Sequence, residues 1–138
     1  MNILFFLSPK SEVTVVRSDM LVDEVIKLMR KSSYVSLPVI DKNGRYIGTL
    51  TQGDLLWYLY DSDDPHKAAL SQVKTVPRSR DNASVSASAD MESLFNKMLQ
   101  QNFAPVTDDR GLFIGIVTRR SIMKYFLGSI DAPLDAEK

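Results

Sequence analysis

The chain carries one plan twice. Residues 48–55 read GTLTQGDL and residues 115–122 read GIVTRRSI. Each copy has a glycine, two intervening residues, a threonine and two variable residues, closing on Asp54 in the first and Ser121 in the second. The likeness extends upstream. Pro38-Val39, the turn Asp41-Lys42-Asn43-Gly44 and Tyr46-Ile47-Gly48 return sixty-seven residues later as Pro105-Val106, Asp108-Asp109-Arg110-Gly111 and Phe113-Ile114-Gly115. A duplication of this length constrains the fold to two like halves, each a supersecondary unit that needs a neighbour to cover its apolar face.

Each half reads as strand, helix, strand, strand, helix. Val13-Thr14-Val15-Val16 and Ser84-Val85-Ser86 are β-rich openings. Leu21, Val22, Val25, Ile26 and Met29 recur at helical spacing, as do Met91, Leu94, Phe95, Met98 and Leu99, which places Met29 and Met98 in a core. Asp19 and Asp90 stand ahead of these helices as expected caps. Asn43-Gly44 signals a tight hairpin because both residues tolerate positive φ, and Arg110-Gly111 keeps the glycine. A further apolar helix follows each threonine turn, Leu55–Tyr60 and Ile122–Leu127. The expected fold is α/β (α+β): two βαββα repeats packed with pseudo-twofold symmetry into one module. Repeat 1 falls at 8–62, a linker with a helix opened by Asp64-Pro65 at 63–79, repeat 2 at 80–128, and a polar tail at 129–138.

Composition narrows the function. Seventeen Lys and Arg balance seventeen Asp and Glu. Binding to nucleic acid or to an anionic membrane needs a basic excess, so neither is expected. There is no cysteine, hence no disulfide or thiolate chemistry. The apolar run Ile3–Leu7 is shorter than the ~7–15 residues of a secretory segment. No stretch approaches the ~18–20 apolar residues of a membrane span. A soluble, cytoplasmic protein is expected. Ile3–Leu7 packs on the core or on a second subunit in this reading, and Trp57, Tyr58 and Tyr60 pack between subunits of a homodimer. His66 is the sole histidine and is read as exposed; with no ligand cluster or nucleophile–base pair beside it, no metal site or enzyme activity is expected.

The doubled βαββα plan, the two Pro-Val strand starts and the Gly-x-x-Thr-x-x-Asp turn resemble the cystathionine-β-synthase (CBS) domain, whose tandem pair is called a Bateman module. The resemblance covers roughly residues 8–128. It implies a sensor with no chemistry of its own, binding adenosine-containing ligands in clefts between repeats. It also implies composite sites. Thr51 and Asp54 would face the run Arg78-Ser79-Arg80-Asp81-Asn82, Val85 and the run Gln101-Asn102-Phe103-Ala104-Pro105. Thr118, Arg119, Arg120 and Ser121 would face Lys10, Thr14 and Tyr34-Val35-Ser36-Leu37-Pro38.

The residue types suit that chemistry. A carboxylate such as Asp54 accepts two charge-assisted hydrogen bonds from the adjacent hydroxyls of a ribose. The threonine reaches the same sugar or a phosphate, and the following helix offers free N–H groups to anions. Apolar groups near Pro38 and Pro105 can sandwich a purine. Arg78, Arg80, Arg119 and Arg120 are the basic candidates for phosphates. Helix capping accounts equally well for Asp54 and Ser121, and solvated surface arginine for the four arginines. With these residues, the resemblance implies a non-catalytic adenine-nucleotide sensor signalling to a partner protein and requiring no cofactor. AMP, ADP or ATP is the expected ligand, with cyclic di-AMP, or a ligand-free dimerising scaffold, as the alternative.

Overall fold

The patterning above resolves into short strands and helices in a computed structural model, which describes residues 2–130. In chain order these are β1 (Ser8–Pro9), β2 (Val16–Arg17), α1 (Val22–Ser32), β3 (Ser36–Ile40), β4 (Tyr46–Thr51), α2 (Gln52–Tyr60), α3 (Pro65–Ala68), β5 (Val85–Ser86), α4 (Met91–Met98), β6 (Phe103–Thr107), β7 (Phe113–Thr118) and α5 (Arg119–Ile130). Turns of 3-10 helix lie at Ile3–Phe6, Lys10–Glu12 and Val73–Thr75. The result is the mixed α/β (α+β) fold read from the sequence, in two compact units.

The first unit comprises Thr14–Asn82 with Gly111–Phe113. β2 runs parallel to β3, with Val16 beside Val39, and β3 pairs antiparallel with β4 through the Asn43-Gly44 turn, where Gly44 has φ +84°. One face of α1, Val22, Val25 and Met29, packs on Leu37, Val39, Leu50 and Leu55. The connector after α2 completes this core with Val73 and Val76.

The second unit comprises the segment up to Val13, Ala83–Arg110 and the chain from Ile114 on. Its sheet has the order β1-β7-β6-β5, with β5 parallel to β6. Leu94 and Met98 of α4 meet Ala104, Val106, Val117 and Ile122. Ile3 and Phe6 of the N-terminal segment are buried in the same cluster, while Leu4 and Phe5 point out. Burying each such side chain contributes about 1.5–3 kcal/mol. β1 seals the edge of β7, setting Ser8 opposite Ile116 and Pro9 opposite Gly115. A Cβ at Gly115, whose φ is +154°, would land on the Ser8 carbonyl oxygen. Gly48, the matching residue of the first repeat, is approached instead by the Arg78 side chain.

Several local expectations change. The stretch 13–16 is strand only at Val16, because Lys10–Glu12 turns the chain just before it. Asp19 caps nothing: α1 starts after Leu21, whose N–H donates to Glu24 Oε1 at 2.8 Å. Asp90 does cap α4, accepting the Ser93 N–H at 2.8 Å. Both post-threonine helices start three residues earlier than their apolar runs, since Gln52 and Arg119 already have helical geometry. α5 continues past Gly128 to Ile130, so the expected polar tail begins within a helix, and its remainder, 131–138, lies outside the described residues. His66 is exposed, and Met29 and Met98 are buried. No helix among the described residues is long and apolar enough to cross a membrane.

Candidate functional site

Thr51 ends β4 and caps α2. Its Oγ1 accepts the Asp54 N–H at 3.0 Å, and Asp54 Oδ2 accepts the Thr51 N–H at 3.0 Å. The threonine, not the acid, is therefore the N-cap, and Asp54 is its reciprocal partner in a capping box. Asp54 is 6% exposed. Its charge sits in the first turn, where the helix dipole favours it. Its other oxygen, Oδ1, accepts the Ser79 N–H from the linker at 3.0 Å. Both oxygens thus hold the backbone, and each retains a lone pair for a further donor such as a sugar hydroxyl.

The linker residues 78–82 are fastened to β4 by a polar network. Arg78 donates from Nε to Asp81 Oδ1 at 2.8 Å and from Nη2 to the Ile47 carbonyl at 3.0 Å. Asp81 Oδ1 also accepts the Thr49 N–H at 2.9 Å, and Thr49 Oγ1 accepts the Asn82 N–H at 3.1 Å. Tyr46 donates its phenol proton to the Asn82 carbonyl at 2.6 Å, which leaves Thr49 as donor in the 2.8 Å contact between the two hydroxyls. Burial pushes the Tyr46 phenol up to about 12, against the opposing hydrogen bond from Thr49. Burial also raises Asp81, but the Arg78 guanidinium and the Thr49 N–H outweigh it and hold the carboxyl below its ordinary value. Asp81 in turn raises Arg78 above its usual value.

The other first-unit candidates gather at one end of the β3–β4 pair. Ser36 lies opposite Thr51 and Pro38 opposite Thr49. The Gln52 N–H donates to the Val35 carbonyl at 3.0 Å and its side-chain amide to the Tyr34 carbonyl at 3.3 Å. Tyr34 and Val35 are exposed; Leu37 and Pro38 are buried. Thr14 is half-buried, and Arg80 stands in solvent.

The second unit repeats this arrangement with different side chains. Thr118 Oγ1 accepts the Ser121 N–H at 3.0 Å, as Thr51 does for Asp54. The Ser121 hydroxyl donates to the Thr118 carbonyl at 2.9 Å. The Arg119 N–H reaches the Asn102 carbonyl at 3.0 Å, matching Gln52 and Val35. Arg119 itself is a fastener: Nε donates to the Met98 carbonyl, an orphan acceptor at the end of α4, and Nη2 to the Gln101 carbonyl just beyond it, each at 3.0 Å. The Gln101 amide clasps Ala83, donating to its carbonyl at 2.8 Å and accepting its N–H at 3.0 Å. Val85, Phe103, Ala104 and Pro105 are buried. Lys10 and Arg120 are exposed. Arg120 lines an open hollow with Met123, Lys124 and Leu127. Of the four arginines singled out in the sequence, Arg80 and Arg120 keep their guanidinium groups in solvent, whereas Arg78 and Arg119 are committed to the fold.

Sequence reasoning misses Tyr46 and Thr49, and it names Ser79 and Asp81 only as part of the run facing Asp54, without the contacts they make. Thr49, 2% exposed, carries the one legible signal: a polar residue between Gly48 and Leu50 in a strand with a buried face. Also unforeseen is a cavity of about 550 Å³ along α2, lined by Asp54, Trp57, Tyr58 and Asp61 on one wall and Pro77, Arg78 and Ser79 on the other. Among the described residues, no group of three or more His, Asp or Glu side chains could hold a metal.

A sequence model of the CBS domain matches residues 6–61 and again 73–128. The chain is similar to CbpB, solved in complex with c-di-AMP, at 25% identity and a TM-score of 0.83, over 94% of this chain and 87% of that one. It is similar to CBSX2, solved in complex with AMP, at 25% identity and a TM-score of 0.75, over 94% and 98% of the two chains. An uncharacterised protein of Methanocaldococcus jannaschii shares 42% identity over 45 residues, 33% of this chain and 27% of that protein's length.

Proposed function

The chain belongs to the CBS-domain family as two domains in tandem, and on that premise we propose that it is a non-catalytic regulatory module that binds an adenine nucleotide and signals its presence to a partner protein. The observation that carries this reading is the likeness, over more than nine-tenths of the chain, to two proteins solved with an adenine nucleotide, one with AMP and one with c-di-AMP. Thr51 and Asp54 are the first choice for gripping a ribose, since the buried carboxylate is held rigidly by two N–H donors and keeps acceptor capacity. Arg80 and Arg120, both exposed, are the first choices to meet phosphates in this reading. A ligand that prefers one arrangement of the module shifts its population, and a partner reads the shift. The module acts as a homodimer in this reading, covering Trp57 and Tyr60, which are 59% and 76% exposed in the single chain.

Cyclic di-AMP is favoured for the second repeat by Ser121. Its hydroxyl donates inward to Thr118, so no carboxylate awaits a sugar diol there. A cyclic dinucleotide has its 3′ oxygens in phosphodiester links and presents no free diol.

Thermal denaturation of protein refolded free of small molecules tests the proposal, with AMP, ATP and cyclic di-AMP against GMP and CMP. A ligand bound only to the folded state adds RT ln(1 + [L]/Kd), about 2.7 kcal/mol at a hundredfold excess over Kd. An adenine-selective rise in Tm is expected. No rise with any adenine ligand at millimolar concentration leaves a ligand-free scaffold.

A further inference from the structure

The solvent faces of α2 and α5 use the same positions of the repeat and fill them with different chemistry. Leu56, Trp57 and Tyr60 on α2 return sixty-seven residues later as Met123, Lys124 and Leu127 on α5. All six are exposed and five of them are apolar or aromatic, so each helix shows a stripe that the single chain leaves uncovered.

Charge divides the two faces. α2 contains no Lys or Arg, and the exposed Asp61 caps its C-terminal end, where the helix dipole is also negative. Trp57 and Tyr60 sit edge to face with ring centroids 6.0 Å apart, an exposed aromatic platform. Arg30 of α1 lines the groove on the Leu56 side of α2, so the electronegative part of the face is the Trp57, Tyr60 and Asp61 side. α5 contains no Asp or Glu. Arg119 is tied to the end of α4 and Arg120 is assigned above to an anionic ligand, which leaves the exposed Lys124 as the cation that α5 presents to a neighbour.

Neither face suits a copy of itself. Two α2 faces bring together two acids and no base, and two α5 faces bring together two lysines, which like-charge repulsion opposes. An α2 face against an α5 face sets an ammonium group over aromatic rings with a carboxylate nearby, and a thioether beside the same rings. Trp57 and Lys124 are each the sixth residue of their helix, so two helices crossing at that point join the pair and set apolar side chains against each other around it.

We propose that the homodimer pairs unlike repeats: α2 of one copy docks on α5 of its partner, with Lys124 of one chain over Trp57 and Tyr60 of the other. In a twofold dimer the contact occurs twice. The proposal rests on the homodimer reading above and gives that dimer its orientation, while leaving Asp54 and Arg120 to the nucleotide.

Sedimentation equilibrium of the intact, ligand-free protein measures the Kd of the dimer. Lys124→Gln should raise it about tenfold, with circular dichroism unchanged, because an aromatic platform loses its cation. Pairing of like repeats predicts the opposite sign, since the same change removes a repulsion between two lysines. Cross-linking decides independently. The chain has no cysteine, so Leu56→Cys and Met123→Cys each introduce a single thiol. Chains of the two variants, refolded together and treated with a short bis-maleimide, should cross-link to each other, whereas neither variant alone should. Three results overturn the proposal and leave the homodimer standing: cross-links within one variant alone, no cross-links in a mixture that still sediments as a dimer, or an unchanged or tighter Kd for Lys124→Gln. A parent protein that sediments as a monomer at every micromolar concentration overturns it together with the homodimer, and nucleotide binding then stands or falls by the thermal test.

Discussion

Asp54 Oδ1 accepts the Ser79 backbone N–H at 3.0 Å, joining the first turn of α2 to a linker residue twenty-five positions on. With Oδ2 on the Thr51 N–H, a single buried carboxylate fixes a strand end, a helix start and the linker.

Asp54→Asn therefore costs stability as well as any ribose contact. The new amide must point its NH2 at either Thr51 or Ser79, both donors, so one N–H loses its acceptor. The expected loss is about 1–3 kcal/mol by urea denaturation. A variant as stable as the parent would show that the carboxylate is dispensable to the linker. Nucleotide affinity of this variant should be measured well below its midpoint, so that unfolding is not read as lost binding.

Ser121→Asp recreates in the second repeat what Asp54 provides in the first. A carboxylate in the first turn of α5 suits the dipole and can reciprocate the Thr118 cap, adding about 0.5–1 kcal/mol. Calorimetry in an Asp54→Asn background then reads the second repeat with the first muted. Stronger AMP binding is expected if Ser121 limits the grip on a diol; unchanged binding in a folded protein favours a ligand without one.

The two arginines of the Thr118 turn should separate cleanly. Arg119→Ala removes both side-chain contacts to the end of α4 and should lower stability by about 1 kcal/mol or more. Arg120→Ala loses no such contact and should leave Tm within experimental error while weakening an anionic ligand. Equal destabilisation by the two would remove the distinction.

Alkaline pH should loosen the linker. Tyr46 has its pKa pushed from 10.0 to about 12 in the folded chain, so between those values the folded state holds a proton that the unfolded state has released. Stability from this group is complete below pH 10 and declines as pH rises towards 12. Denaturation midpoints across that window should fall more for the parent than for Tyr46→Phe, and parallel curves would discount the phenol.

Gly115→Ala should destabilise more than Gly48→Ala. The first places a Cβ against backbone, the Ser8 carbonyl, at a φ of +154° that L residues rarely adopt. The second meets the side chains of Arg78 and Asp81, which can rotate away at the expense of their ion pair. The reverse order, by chemical denaturation, would discredit the close approach of the N-terminal strand.

The repeated plan was legible because its signals are side-chain chemistry at fixed spacing: Pro38 and Pro105 in paired strands, Gly44 and Gly111 at positive φ, and apolar stripes on α1 and α4. What escaped lies in the backbone or at long range. The Ser79 contact uses a main-chain N–H, which every residue but proline carries. Arg119 looked like a phosphate ligand because its part in closing α4 depends on carbonyls eighteen and twenty-one positions away. β1 spans two residues and shows no period, so nothing local announces its pairing with β7. Asp19 failed as a cap because the first-turn N–H groups of Val22 and Asp23 donate to the Ser71 and Ala69 carbonyls, far along the chain.

Burial of Ile3 and Phe6 beside Val117 and Ile122 also has a cost in time. Synthesis makes these apolar residues well before those two partners, which come roughly 110 residues later, on the order of 5–20 s at ordinary elongation rates. Through most of that interval the nascent chain trails a greasy hook, Ile3-Leu4-Phe5-Phe6-Leu7, without the full cluster that finally covers it. During synthesis, this uncovered hook is a place for a chaperone or an unwanted neighbour to take hold.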